Sequence, residues 1–225
     1  MKTRFLIACL AALALSAQAY PIDFQDVQFD VTAIAAGDGA PGFDTQSSPP
    51  LSTPVSASAS SGDVDFTTAG AIAGPGLLSA SADAAGGGGI ASAVATSHFA
   101  GTFLNNGEMH LSLDFLSLAL ASDSGSAETS LFVLLVSDGV TLFDDYVSGP
   151  WQFSYNANAG TMSTLDLTLT SQASAGFPDA GLGNASAFGL VTFAGSVPEA
   201  PTLMLLPLAV GAMVAVRRRT RRTVA

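Results

Sequence analysis

The chain has 225 residues, which is enough for one domain with a hydrophobic core once its two ends are set aside. All seven lysines and arginines lie near the ends, whereas all 18 acidic residues lie between Asp23 and Glu199. A central polyanion with no permanent cation excludes nucleic acid as a partner, because phosphate binding needs lysine and arginine. Sparse aromatic residues and abundant small residues favour an all-β domain over a helical bundle.

The first 19 residues have the anatomy of a secretory signal peptide. Lys2 and Arg4 precede an apolar stretch, and the small residues Ala17 and Ala19 precede Tyr20. This order predicts cleavage by signal peptidase between Ala19 and Tyr20. A buried N-terminal helix fits the pattern less well. Acylation of Cys9 also fits less well, because too little apolar sequence precedes that residue.

Residues 20–196 are predicted to form an exported β domain rich in glycine, alanine and serine. The first strand is predicted at 22–35, with a bulge or turn between Phe24 and Val27. Residues 37–62 are predicted to form a flexible loop, because serine, glycine and proline dominate them. Further strands are predicted at 64–68, 77–84, 90–103, 109–121, 129–137, 140–147, 151–155, 164–172 and 187–193.

Closely spaced strands without helical inserts predict a β-sandwich or jelly-roll. The pair Asp138-Gly139 predicts a hairpin, and Leu165, Leu167 and Leu169 predict a strand with one buried face. Residues 131–136 are apolar on both faces and are predicted to be central, and a bulge is predicted near Leu116. The alternating aromatics of 151–155 fit a core strand, or alternatively a ligand-stacking strip.

The C-terminal region predicts a membrane segment. Residues 202–216 carry no charge, which favours a single transmembrane helix that is short for a bilayer. The arginines that follow act as a stop-transfer signal and would remain in the cytoplasm by the positive-inside rule. They are Arg217, Arg218, Arg219, Arg221 and Arg222.

Residues 197–225 resemble the PEP-CTERM sorting signal of Gram-negative bacteria, in which a short motif, an apolar helix and basic residues follow one another. The motif is Val197-Pro198-Glu199-Ala200-Pro201. Pro198 and Glu199 match the first two motif positions, whereas Ala200 occupies the third and the proline is displaced to Pro201. The resemblance implies processing by exosortase and an association with exopolysaccharide. An ordinary membrane anchor is the alternative interpretation.

Little in the body predicts catalysis. The sequence has no Gly-x-Ser-x-Gly elbow, its only imidazoles are His98 and His110, and its only cysteine is Cys9. Both histidines fall in predicted strands, where a surface or hydrogen-bonded role is the more common one. We therefore expect no enzymatic activity and no cofactor. An exported hydrolase would need one of these histidines in a cleft beside a serine and an acid.

Five carboxylates are weak candidates for a calcium site, because calcium prefers oxygen ligands. They are Asp63, Asp65, Asp123, Asp144 and Asp145. No complete calcium loop is present, so solvated surface charge is the favoured interpretation and no metal is predicted.

These features together predict an exported structural or adhesive protein of the cell surface or the extracellular polysaccharide matrix. Its precursor would be anchored in the inner membrane and cleaved by signal peptidase and exosortase. The alternatives are a carbohydrate- or calcium-binding surface module and an exported protein that stays anchored in the membrane.

Overall fold

The computed structural model describes residues 20–48, 54–62, 65–86, 89–122, 124–176 and 183–197. The chain divides into two units. One comprises residues 1–21 and 196–225, and its described part is strand β1 (Tyr20–Pro21) paired antiparallel with Ser196 and Val197. The other, Ile22–Gly195, contains the hydrophobic core and the remaining strands, the last of them up to Gly195.

The described residues are all-β, as the sequence predicts. No helix occurs among them, so none there is long and apolar enough to cross a membrane. The strands after β1 are β2 (Gln25–Ala36), β3 (Gly42–Ser47), β4 (Val55–Ser61), β5 (Phe66–Gly74), β6 (Leu77–Gly86), β7 (Ala91–Leu104), β8 (Glu108–Ala121), β9 (Gly125–Ser137), β10 (Val140–Val147), β11 (Trp151–Asn156), β12 (Met162–Ala175) and β13 (Gly183–Val197).

The strands form two antiparallel sheets. Sheet I has the order β11-β8-β13-β6-β5-β4, and sheet II has the order β10-β9-β12-β7-β2-β3. The sheets contact each other through β6 against β7 and β12, and through β5 against β2 and β7. This arrangement is consistent with a β-sandwich.

The local predictions from sequence are confirmed where they depend on alternation and turn chemistry. Leu165, Leu167 and Leu169 of β12 are buried, because alternate side chains of a strand point to the same face. Asp138 and Gly139 both have positive φ and join β9 to β10, as a type I′ hairpin turn requires. The register of β2 against β7 shifts between Gln25 and Gln28, which is the predicted bulge.

The core changes in side-chain size along the sheets. The inner faces of β5 and β6 carry buried alanines, and the backbones at this end come so close that a Cβ on Gly86 would lie 2.7 Å from the Cα of Gly176. Elsewhere the space is filled by Phe29, Phe99 and Phe103, each fully buried and each contributing about 2–3 kcal/mol by its burial. Small side chains therefore set the sheet spacing at one end and large rings fill it at the other.

Buried polar groups in the core are hydrogen-bonded. Between the sheets, the Ser171 hydroxyl donates to the Ala80 carbonyl over 3.0 Å, and the Ser97 hydroxyl donates to the Ser79 carbonyl. Asn105 donates from Nδ2 to the hydroxyls of Ser137 and Thr161, and its Oδ1 accepts from Ser163 and Tyr155. Among the described residues, no buried side-chain nitrogen or oxygen lacks a partner. These groups therefore avoid the desolvation penalty of about 1–3 kcal/mol that an unsatisfied buried group carries.

The predicted loop at 37–62 is wrong over two segments, because β3 and β4 form there. Both are edge strands, one in each sheet, and an edge strand needs only one paired side and tolerates a polar sequence. The Ser58 amide donates to the Asp44 carboxylate over 3.1 Å, which joins the two edges. Backbone pairing of β3 with β2 and of β4 with β5, together with this hydrogen bond, holds the segment in strands.

Two other strand predictions need correction. The strand predicted at 64–68 extends to Gly74, because the small residues that follow fit the close sheet spacing. Residues 131–136 of β9 lie between β10 and β12, as an internal strand, but only one face is fully buried. The opposite face is half-buried, because no second layer covers it among the described residues.

Candidate functional site

The outer face of sheet I carries a groove, which we call the Phe66 groove. It has a volume of about 410 Å³ and lies where β5, β6, β8 and β13 run side by side. Its side walls are formed by Phe66, Asp83, Leu120, Asn184 and Ser186. Strand alternation explains this lining, because the neighbours of Asp83 in β6 are alanines that point into the core.

The polar groups of the groove are held in position. Asp83 accepts hydrogen bonds from the Ser186 hydroxyl and, over 3.4 Å, from the Thr68 hydroxyl. The Phe66 ring beside them is 45% exposed. An open aromatic ring next to a carboxylate, an amide and hydroxyls is a combination that suits the apolar face and the hydroxyl groups of a sugar.

His98 lies on the outer face of sheet II between two carboxylates. Its Nδ1 is 3.2 Å from Asp30 Oδ2 in β2, and its Nε2 is 3.0 Å from Asp166 Oδ1 in β12. The hydrogen bond to Asp166 raises the pKa of His98, with further support from Asp30, and burial opposes this only in part. Burial works against a lower pKa for Asp30, but hydrogen bonds with Ser47, His98 and Gln28 outweigh it and lower that pKa.

We call Asp30, His98 and Asp166 the His98 clamp. In this arrangement His98 is poorly suited to act as a general base. Both imidazole nitrogens are occupied by carboxylates, so neither is free to take a proton from a nucleophile. Because the two acids engage opposite nitrogens, the three side chains also cannot converge on one metal ion. The arrangement joins three neighbouring strands.

The second histidine lies beside a serine and an acid. His110 Nδ1 is 2.5 Å from Ser154 Oγ across the β8–β11 pair, and Nε2 is 3.5 Å from Glu108 Oε1. The side chains of His110 and Glu108 are substantially exposed on the outer sheet face. Hydrolytic triads operate in sites that exclude water and hold oxyanion donors, so this exposed group does not support a hydrolase.

The aromatic strip of β11 faces the interior side of sheet I. Trp151, Phe153 and Tyr155 pair with the buried residues of β8, and each is half-buried. Phe143 of β10 packs against Trp151 with ring centroids 4.9 Å apart. The strip therefore closes one side of the core between the sheets, as the core interpretation predicts, rather than forming an open stacking surface.

The described calcium candidates do not form a site together. Asp144 and Asp145 are adjacent in β10 and so point to opposite faces, and Asp65 is buried and accepts a hydrogen bond from the Gly89 amide over 3.2 Å. Asp63 and Asp123 fall outside the described residues. Within the described part of the chain, no group of three or more histidine, cysteine or acidic side chains could hold a metal ion.

Most of the predicted targeting residues fall outside the described part of the chain. These are Ala17, Ala19, Pro198, Glu199, Ala200, Pro201 and the arginines of 217–222. The backbone is described for Tyr20 in β1 and for Val197 at the end of β13, and these two residues pair. The signal peptide, the sorting motif and the C-terminal helix therefore stay predictions.

The Phe66 groove was not predicted from sequence. Its residues are spread over four strands, and the only local signal is a large aromatic residue at the start of a strand of small residues, Phe66 in β5. The groove depends on the order β8-β13-β6-β5, which brings positions about 120 residues apart into one surface. No spacing rule within one segment contains that information.

Comparison with known proteins assigns no family. No protein-family model matches the chain, and no curated protein matches it. A solved GH31 α-xylosidase from Xanthomonas citri is similar at 9% identity with a TM-score of 0.23, over 81% of this chain and 34% of that enzyme. The chain thus spans about one third of the enzyme's length. A similarity this distant carries no argument about activity.

Proposed function

We propose that this chain is an exported structural or adhesive protein of the cell surface or of the extracellular polysaccharide matrix. In this proposal signal peptidase cleaves before Tyr20, and exosortase processes the C-terminal signal while residues 202–216 hold the precursor in the inner membrane. The exported domain is a β-sandwich of jelly-roll type without catalytic function.

The observation that carries this proposal is the order of features at the C-terminus. A Pro-Glu motif, an uncharged segment and an arginine cluster follow one another within 29 residues of a chain whose other end has a signal-peptide pattern. Proline lacks an amide hydrogen and restricts the residue before it to extended conformations, so a motif with Pro198 and Pro201 suits a membrane-embedded protease that must reach its backbone. The composition of the body agrees with the proposal, because a domain without lysine or arginine lacks the permanent cations that attract anionic lipid or nucleic acid.

Intact-mass analysis tests the sorting step. The protein would be expressed in a host with exosortase and in a deletion strain, and its mass measured in membranes and culture medium. We expect a product that begins at Tyr20 and ends near Glu199 only when exosortase is present. The variant Glu199→Ala should block the C-terminal cut, whereas Glu128→Ala, an exposed acid of β9, should leave it unchanged.

A tail that persists in both hosts would refute exosortase processing and favour the plain membrane anchor. An uncleaved N-terminus would refute the signal peptide independently, since signal peptidase acts without exosortase.

The Phe66 groove gives the adhesive role a specific candidate ligand, a neutral or hydroxyl-rich glycan. Its exposed ring and fixed polar groups suit such a ligand, whereas Asp83 and the acidic body disfavour an anionic one.

Titration calorimetry with oligosaccharides from the host's exopolysaccharide should detect binding that Phe66→Ala weakens at least about tenfold, the loss expected for a stacked ring. Ile72→Ala, at a residue 46% exposed in the same strand, should bind like the parent. Equal affinities of the two variants would exclude the groove.

A further inference from the structure

The second half of β8 has an open edge. Strand β11 pairs with β8 only from Glu108 to Leu113, where Trp151 is the last partner. From Asp114 to Ala121 the side of β8 away from β13 has no neighbouring strand among the described residues. A row of backbone N–H and C=O groups is therefore available for pairing with another strand.

This open edge displays apolar side chains. Leu116, Leu118 and Leu120 are 61%, 53% and 60% exposed, and we call them the β8 leucine strip. On the other side of β8, which faces β13, the Ser122 amide donates to the Asn184 carbonyl over 2.8 Å. Proteins usually protect an exposed edge with charge, proline or a bulge, but residues 115–122 contain no charge and no proline.

The same segment is complementary to itself in antiparallel orientation. A two-fold axis at Leu118 places Leu116 of each copy opposite Leu120 of the other, and Leu118 opposite its own equivalent. Asp114 then lies opposite Ser122, so no acid faces an acid at the point where two polyanions would meet. Elsewhere the acidic surface of one copy would repel another, because the body has no lysine or arginine to offset it.

We propose that this surface binds a second copy of the chain, by antiparallel pairing of residues 114–122, the second half of β8 and the residue after it, about a two-fold axis at Leu118. The pairing joins sheet I of the two copies into one continuous sheet and packs the two leucine strips side by side. A glycan is a poor occupant, because three leucines offer it no hydrogen-bonding groups. This association does not depend on exosortase processing, although Leu120 belongs both to the leucine strip and to a wall of the Phe66 groove.

Sedimentation of the full-length protein, in detergent if required, tests the pairing. We expect a concentration-dependent dimer, and both Leu118→Lys and Leu118→Glu should weaken it at least about tenfold, because each places like charges directly opposite each other. An equimolar mixture of the two variants should dimerise again, because opposite charges then meet at the axis. Ile72→Lys, on the outer face of sheet I but away from the edge, should dimerise like the parent.

Hydrogen exchange identifies the surface independently of the variants. The amides of Phe115, Ser117, Ala119 and Ala121, which alternate with amides that face β13, should become protected as protein concentration rises, whereas the amides of β4 at the other edge of sheet I should not change.

Several results would overturn the proposal. A strictly monomeric parent would do so, as would a dimer that survives both Leu118 substitutions, which would indicate association through another segment such as 202–216. Protection of the amides of Phe115, Ser117, Ala119 and Ala121 that is independent of concentration would overturn it too, because another segment of the same chain, rather than a second copy, would then cover the edge.

Discussion

The stretch between Phe5 and Val216 contains no lysine or arginine, and its only imidazoles are those of His98 and His110. His98 lies between Asp30 and Asp166, on strands that flank its own in sheet II. When protonated it forms the centre of a carboxylate–imidazolium–carboxylate row across β2, β7 and β12. His98 thus links three strands through carboxylates in a stretch that has no lysine or arginine.

The raised pKa of His98 predicts how the free energy of unfolding depends on pH. A folded pKa above the ordinary value of 6.5 means that the stabilisation is complete below pH 6.5 and is lost as pH rises through the folded pKa. The lowered pKa of Asp30 means that its share is lost on acidification, below about its ordinary value of 3.8. We expect His98→Gln to lower the free energy of unfolding by about 0.5–1 kcal/mol at pH 5.5 and by less at pH 9, measured by urea denaturation.

Asp166→Asn is the matched variant, because the hydrogen bond to Asp166 is the main cause of the raised pKa. It should reduce the same pH dependence. If parent and His98→Gln lose stability in parallel from pH 5.5 to 9, the clamp does not contribute in this way.

At the scale of elements, the hairpin between β9 and β10 shows how a two-residue turn sets register. Asp138 and Gly139 adopt φ of 50° and 74°, and the strands pair from Val140 with Ser137 onward. Positive φ at both positions matches the twist of the flanking strands. Aspartate tolerates this conformation better than most residues, and glycine adopts it without a steric penalty.

Gly139→Ala isolates that conformational effect. A Cβ at Gly139 would have no atom within 4 Å, so the variant adds no collision and any loss comes from the positive φ alone. We expect a loss of about 1 kcal/mol in the free energy of unfolding, measured by thermal or urea denaturation. Gly149→Ala is the control, because a Cβ there also meets nothing within 4 Å and its φ is not in the left-handed region. Equal stabilities for the two variants would contradict the turn assignment.

At the scale of the whole molecule, charge of one sign dominates. The chain carries a formal net charge of −11, and its basic residues all lie in the two terminal segments. Repulsion among the carboxylates opposes compaction, and added salt screens that repulsion over about 10 Å at 0.1 M. Hydrophobic and hydrogen-bonded contacts between the sheets must hold the domain together against it.

Stability should therefore rise with ionic strength. Raising NaCl from 0.01 to 0.5 M should increase the Tm by about 2–4 °C in a thermal scan, the shift that corresponds to about 1 kcal/mol in a domain of this size. CaCl₂ at matched ionic strength should give the same increase if the acids are solvated surface charge. A larger, saturable increase with calcium would favour the calcium-binding alternative, and a Tm that falls with salt would contradict the charge argument.

The amino-acid sequence by itself determined the strands and several turns. Alternation of Leu165, Leu167 and Leu169 predicts a strand with one buried face, and Asp138-Gly139 predicts a hairpin, because both signals lie within a few consecutive residues. The all-β class follows from many such local signals. Edge strands β3 and β4 escaped prediction, because their order depends on hydrogen bonds between segments rather than on an apolar pattern.

Only the tertiary structure decided which residues share a surface. The Phe66 groove, the His98 clamp and the open edge of β8 each depend on which strands are neighbours, and strand order brings together residues distant in sequence. The sequence likewise leaves open whether the aromatic strip of 151–155 faces the core or the solvent. The pairing of β11 with the buried residues of β8 decides it in favour of the core. Pairing between strands is set by the free energy of the assembled sheets, so the local sequence constrains each strand but not its neighbours.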